Sequence, residues 1–400
     1  MNIKFVFLVF IDSINKSIKN RIFICICTYM NIRQKCLCIL ALTTFLSRCG
    51  IKIFRKLNIL DKPWKDLKWT RKPVPTMQWI VVYIIFLIII ALFFPDMWTN
   101  RLLLWFLAWW TLIVIVEIIT ELEYIWKIRF KIPAWTRFLV HLIAACLALR
   151  ISGIENFEFM LWSNAIILPQ RVLYIAFAIW SAFVTNAVNR IDWINAQWNW
   201  ILTIWFFTIF WLIQRVVLPS YTEYTNYDTL IFVQNLSLVL AIISLVYTVI
   251  EIKPSALIRD IWTMFLAFGL AYLSVLWGTK IWTLIVALSL VIFDAIWIIF
   301  YRIFILKRSP MQWDYKHMHH RLLRLWWTRW EVRAFVRIWS IVMMILMLMQ
   351  GTNRLHKIII FLIMAALFFG VNVYLFLIKK LPCGQDDKKE DHFEWENKSD

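Results

Sequence analysis

The sequence predicts an all-α integral membrane protein with about ten or eleven transmembrane helices and active-site loops on the cytoplasmic side. Three observations predict it. Apolar residues make up 62% of the chain against 17% charged, at a mean hydropathy of +0.71. Runs long enough to cross hydrocarbon recur from end to end. The loops rich in lysine and arginine alternate along the chain, as the positive-inside rule requires. A formal net charge of +19 in a soluble chain would suggest nucleic acid. Placed in short loops between spans, the same charge reads as topology first and phosphate or anionic lipid second, so no nucleic-acid partner is expected.

Taken in order, residues 1–21 read as a signal-like stretch, part of a first span, or sequence upstream of the true start. A first span falls within 22–47, interrupted by Asn31, Arg33 and Lys35. Further spans read at 78–95, 101–119, 136–152, 171–189, 200–218, 229–250, 258–276, 281–305, 336–350 and 357–378. Loop 48–76 holds Arg48, Lys52, Arg55, Lys56, Lys62, Lys65, Lys68, Arg71 and Lys72, and belongs in the cytoplasm. Loops 120–135, 190–199, 251–257 and 306–335 alternate onto the same side, leaving shorter and partly acidic loops opposite. The domain reading is 1–50 as an N-terminal segment with the first helix, 51–380 as a polytopic catalytic domain, and 381–400 as a polar tail. Seven cysteines show no CxxC pair, and five lie between Cys25 and Cys49 in apolar surroundings, where thiols are spectators rather than ligands.

Chemistry concentrates on the basic side. Three of the six histidines, His317, His319 and His320, stand beside Arg321 and Arg324 between two apolar segments. If the chain is helical after Lys316, then His317, His320, Arg321 and Arg324 share a face, able to donate charge-assisted hydrogen bonds to phosphate oxygens. A basic loop alone would signal only topology or lipid contact. Four further groups on the same side favour a polyanion site. They are the Pro-punctuated loop 61–79 with Lys72, the pair Glu121 and Glu123, the run Asn186, Asn189, Asp192 and Asn195, and the segment Arg259-Asp260-Ile261-Trp262-Thr263. Ionisable groups in or beside spans point to function. Carboxylates offer hard oxygen ligands to Mg²⁺, which keeps its other ligands from water and phosphates. A zinc site from the three histidines lacks a completing ligand on this side.

These segments resemble the polyprenyl-phosphate N-acetylhexosamine-1-phosphate transferases, integral membrane enzymes of glycosyltransferase family 4. The resemblance rests on Ser309, Pro310, Asp314, His317, His319, His320, Arg321 and Leu322 for the family's histidine motif. It also rests on Asp61-Lys62-Pro63 and Pro75-Thr76-Met77, on Asn186, Asn189 and Asp192, on 255–266 around Asp260, and on Asp294 and Arg302, all in the family's order. It implies Mg²⁺-dependent transfer of a sugar 1-phosphate from a UDP-sugar to undecaprenyl phosphate, with release of UMP, at the cytoplasmic face of a bacterial plasma membrane. On that resemblance Asp260 and Asp192 are metal ligands, and Asp260, Glu121 and Asp192 are catalytic. Lys72, Asn186, Asn189, Asn195, His317, His319, His320 and Arg321 would bind substrate. A second copy of the chain is a further candidate partner. The His-x-His-His form is similar to the GlcNAc-1-phosphate branch, while Pro75-Thr76-Met77 is similar to the phospho-MurNAc-pentapeptide branch. A catalytically inactive relative that binds the lipid carrier is the competing class. A transporter is a third, but no inverted repeat supports it.

The chain departs from the family in two ways. Where the family has an Asp-Asp pair, this chain has Thr120-Glu121-Leu122-Glu123, and Glu121 is only a loose stand-in. Tryptophans Trp79, Trp193, Trp200, Trp262 and Trp313 stand where the family has glycine, and Trp326 and Trp330 fall in expected turns. An indole there should block the close approach of backbone to phosphate that glycine allows. Composition agrees: the chain has 7 Gly and 26 Trp, together 33, where ordinary usage gives about 28 Gly. UGA codons that mean glycine in the source, rendered as tryptophan, account for both facts. The expected outcome of reading the gene is UGA at Trp79, Trp193, Trp262 and Trp313, and UGG at those positions removes the explanation.

Overall fold

The computed structural model describes residues 30–61, 73–126, 134–152, 157–161, 164–191, 196–220, 227–252, 255–276, 281–309, 317–324, 328–350 and 354–377. Residues 1–29 and the tail beyond 377 lie outside the described residues. Five helices are long and apolar enough to cross a membrane: Ile32–Lys56, Arg171–Asn189, Gln197–Val217, Tyr227–Ile252 and Trp330–Met349. Shorter apolar helices at Trp79–Phe93, Arg101–Val116, Ile261–Leu276 and Ile358–Tyr374 accompany them. Helices satisfy their own backbone polar groups, which hydrocarbon cannot do for them. Ile115, Ile179, Val249, Ile338 and Leu362 are exposed on their outer surfaces. The chain is a multi-pass helical membrane protein.

Helix α1 (Ile32–Lys56) begins later than the expected span. Asn31 accepts from the Gln34 backbone N–H, and the Gln34 side chain accepts from that of Asn31, closing a capping box. The polar residues that seemed to interrupt a span are therefore its cap and first turn. The helix also runs on through Lys56, so residues 48–56, expected as loop, are helical. Asn58 then stops it at φ 57°. Its inward side carries Ile39, Thr43, Ser47 and Gly50, all buried. Such a row of mostly small residues lets helices approach closely without help from a hydrophobic effect, which lipid does not supply.

Two short strands, β1 (Leu60–Asp61) and β2 (Val74–Pro75), pair antiparallel with Leu60 opposite Pro75. Then come α2 (Trp79–Phe93), α3 (Arg101–Trp126) and α4 (Ala134–Ser152). Helix α3 has no stop signal at residue 119, so Glu121 and Glu123 lie on its last turns rather than in a loop. An antiparallel ribbon of β3 (Phe157–Leu161) and β4 (Asn164–Leu168) follows. Only a loop was expected there. Next are α5 (Gln170–Ile191), α6 (Gln197–Leu212, extended by a π-helical turn to Val217), α7 (Tyr227–Ile252) and α8 (Asp260–Leu276). The expected span 281–305 divides at Leu288 into α9 (Ile281–Ala287) and α10 (Ser289–Phe300), with a π-helical turn at Tyr301–Ile305. Short α11 (Met318–Arg324), then α12 (Arg329–Gln350) and α13 (Arg354–Leu377), complete the described chain.

Helix α7 is central, packed against α1, α2, α6 and α8. Helix α5 packs against α4, α8 and α10. Phe86, Phe106 and Phe265 wedge α2, α3 and α8 together, with Phe106 and Phe265 centroids 4.9 Å apart.

The tryptophans at family glycine positions behave differently from the expectation. Trp79, Trp200 and Trp262 all sit on helices, and none is among the described non-glycine residues with positive φ. Trp262 is fully buried and stacks on Phe265 at 4.7 Å, so its indole fills the bundle rather than a groove. Trp193, Trp313 and Trp326 lie outside the described residues.

A Cβ at Gly50 would lie 2.5 Å from a methyl of Val81 on α2. Gly50→Leu is expected to lower stability by about 1–3 kcal/mol through overpacking, read from the thermal midpoint in detergent. Adding Val81→Ala should restore part of the loss, and no restoration would place the defect elsewhere.

Candidate functional site

The site is assembled where the β1–β2 pair meets the approach to α8. Arg259, in the approach to α8, donates from Nε to Thr76 Oγ1 at 2.9 Å and pairs with Asp61 Oδ1 at 2.9 Å. Backbone bonds tighten the same junction: Leu257 N–H donates to Pro75 O at 2.8 Å, and Gln78 N–H donates to Leu257 O at 3.2 Å. Chain segments nearly two hundred residues apart are thereby stitched together immediately before Asp260, the first residue of α8. Glu251 makes a second stitch. It is buried, accepts Asn199 Nδ2 at 2.8 Å, and also accepts the backbone N–H groups of Ala196 and Ile258. That one carboxylate ties the end of α7 to the start of α6 and to the loop leading into α8.

Backbone strain gathers at the same place. Met77, Ala196 and Arg259 hold φ of 56°, 64° and 77°. Such values are costly for residues with a Cβ and persist where the surroundings over-determine them, as they do at functional sites.

Asn186 and Asn189 lie on the last turns of α5. Asn186 Nδ2 donates to Ala182 O at 2.8 Å and stands 3.4 Å from His141 Nδ1 on α4. Asn189 Oδ1 is buried with no hydrogen-bond partner. His141 is itself buried, and its Nε2 has no partner either. Unsatisfied buried polar atoms on one helix end are expensive and mark a place where a polar ligand or water belongs.

The histidine stretch differs from the expected open face. Helix α11 starts at Met318, and His317 just before it turns inward. His317 Nδ1 lies 2.7 Å from Asp294 Oδ2, and the Met318 N–H donates to Asp294 Oδ1 at 2.8 Å. Arg321 approaches the same carboxylate at 3.9 Å and lies over the Trp297 ring. His317, His319 and Arg321 are buried, and His319 and His320 have ring centroids 4.2 Å apart. Arg321 Nε and one terminal nitrogen make no hydrogen bond. The side chain of Arg324 lies outside the described residues.

Burial, followed by the charges of His320, His317 and Arg321, holds the His319 imidazole well below the usual histidine range. The free Nε2 of His319 is buried as well. Burial thus favours the neutral form of this ring.

The junction therefore brings together the Asp61 and Pro-Thr-Met segments and the backbone of Asp260. Helix α5, with Asn186 and Asn189 on its last turns, packs against α8 and against α10, which carries the histidine anchor. Lys72, Asp192 and Asn195 lie outside the described residues. Asp260 and Glu121 are placed by their helices, and their side chains lie outside the description. Among the described residues, no group of three His, Cys, Asp or Glu is arranged to hold a metal ion. The described cysteines Cys36, Cys38, Cys49 and Cys146 are all free thiols. Sequence reasoning passed over Glu251 and His141. Each is an ionisable residue inside an apolar run, which is the signal that could have found them.

No known protein-family model matches the chain, and no curated protein is significantly similar to it.

Two outcomes follow from this geometry. Arg259→Met should cost about 1.5–3 kcal/mol through its lost charge-assisted bonds. Arg259→Gly loses the same bonds but relieves the positive φ, worth about 1 kcal/mol, and so should be milder in a thermal melt. For His319, the unfolded chain binds the extra proton first. Stability present above pH 6.5, the ordinary histidine value, is lost as pH falls from there toward the lower folded value. Thermal midpoints should drop below pH 6.5, and His319→Leu should flatten that slope.

Proposed function

We propose that the chain transfers a sugar 1-phosphate, GlcNAc-1-phosphate, from a UDP-sugar to undecaprenyl phosphate, releasing UMP at the cytoplasmic face of a bacterial plasma membrane. The observation that supports this most is the knot of Asp61, Thr76, Leu257 and Arg259. It sets the Pro75-Thr76-Met77 turn against the start of α8 and Asp260. Both segments carry the resemblance to the polyprenyl-phosphate transferases, and they meet although the sequence holds them far apart.

Mg²⁺ would be held by residues other than the carboxylates already paired. The described carboxylates on this side already have partners: Asp61 has Arg259, Glu251 has Asn199, and Asp294 has His317. Asp260 and Asp192 would hold the ion, since Mg²⁺ takes one or two carboxylates and completes its shell with water and phosphate oxygens. When bound, the ion neutralises charge on the pyrophosphate. The protein's own residues do the rest. Arg321 carries unused N–H groups and would donate to the diphosphate together with His320. Asn186 and Asn189 would orient the nucleotide from the end of α5. Such fixed donors stabilise charge that develops in transfer, without reorganising.

The Pro75-Thr76-Met77 turn favours, as a second reading, the phospho-MurNAc-pentapeptide branch. A panel of UDP-sugars separates the two. With UDP-GlcNAc, undecaprenyl phosphate and Mg²⁺, the protein should release UMP. Asp260→Asn and His320→Ala should each lower the rate by about 100-fold or more, in protein carrying glycine at any codon read as UGA. Full activity in both variants would sink this assignment.

A further inference from the structure

Helix α10 and its π-helical extension continue from Asp294 to Ile305, eleven residues farther along. At roughly 1.5 Å per residue that is about 16 Å of helix. The chain nevertheless returns to Asp294, because His317 Nδ1 reaches its carboxylate at 2.7 Å. The histidine helix is therefore folded back against the wall of the bundle. Asp294 alone among the described acids holds it there, with one oxygen on His317 and the other on the Met318 N–H. The carboxylate is 1% exposed.

A buried polar pair is a poor device for stability, since apolar residues of the same volume do as well or better. What it supplies is orientation. A carboxylate accepting from Nδ1–H fixes the imidazole tautomer and aims Nε2. With Nδ1 occupied, Nε2 is the only nitrogen His317 can offer a ligand. The Met318 bond sets the first turn of α11, and so fixes where His319, His320 and Arg321 project.

We propose that Asp294 is the positioning residue of this site. It locks His317 as the Nδ1–H tautomer, directs His317 Nε2 at the phosphate-bearing ligand, and seats the cationic turn of α11 behind it. The role in turnover rests on the transferase reading above, whereas the tautomer does not.

The test uses the full chain in nanodiscs, with ¹⁵N-labelled histidine and the His317 signals assigned through His317→Gln. The expected wild-type spectrum of the neutral His317 ring shows the proton on Nδ1. Asp294→Leu should move it largely to Nε2, the form favoured by an imidazole with no acceptor at Nδ1. In the UMP-release assay, Asp294→Asn, which keeps size and shape, should lower kcat about 10- to 100-fold with little change in KM for the UDP-sugar. In a His317→Gln background the same substitution should cost at most twofold further, because Asp294 acts through His317. A residue serving stability alone would instead give additive losses. The idea is overturned by an Nε2–H tautomer in the wild type, by unchanged kcat in Asp294→Asn, or by additive losses in the double variant. If the wild type releases no UMP from any UDP-sugar, the transferase reading fails, and the spectrum still decides the tautomer.

Discussion

The candidate site depends on one interaction, the fork that Arg259 makes with Thr76 and Asp61. Its two bonds, both 2.9 Å, cross between a strand pair near the start of the chain and the entrance to α8. Charge-assisted bonds of this kind are strong and geometrically specific. The arginine accepts a left-handed backbone to make them. Glu251 does for the α6 and α7 ends what Arg259 does for the strand pair. Together they convert loops, which on their own would be the softest part of a membrane bundle, into a fixed rim. The large apolar helices below supply position, while the few buried ionic groups supply register.

Much of the bundle was legible because hydrocarbon permits so little else. Long apolar runs must be helical, and the expected spans fall on described helices, although 281–305 is divided between two and five of the described helices are long and apolar enough to cross a membrane. The errors fall where a different force decides. At α1 a capping box fixed the start, and Asn31 and Arg33 read as interruptions only if caps are ignored. At α3 the helix outlasts its apolar stretch, because polar residues do not stop a helix without glycine or proline. The β3–β4 ribbon lies in a segment with weak alternation that length alone could not distinguish from loop.

The site was legible in part. Clustered histidines, the Pro-Thr-Met turn and Arg259-Asp260 all stood out in the sequence, and the fold ties the last two together. The direction in which His317 points did not stand out. Helical spacing placed it on an open face with His320 and Arg321, yet its ring is committed to Asp294, from a different helix. Tertiary hydrogen bonding overrode local periodicity. The tryptophans divide in the same way. Composition marked them as anomalous, but on helices Trp79 and Trp262 fill space in the core and do not occupy backbone conformations that only glycine tolerates.

The small, partly polar side of α1 has a consequence for biogenesis. Thr43, Ser47 and Gly50 are buried, and α1 packs against both α2 and α7. Helix α2 follows soon after α1 leaves the ribosome, but α7 emerges some 170 residues later. Until then part of that surface has only lipid or the insertion machinery beside it. Helix α1 must therefore be retained in an unfinished environment while some 170 further residues are synthesised, and its packing is completed only when α7 arrives.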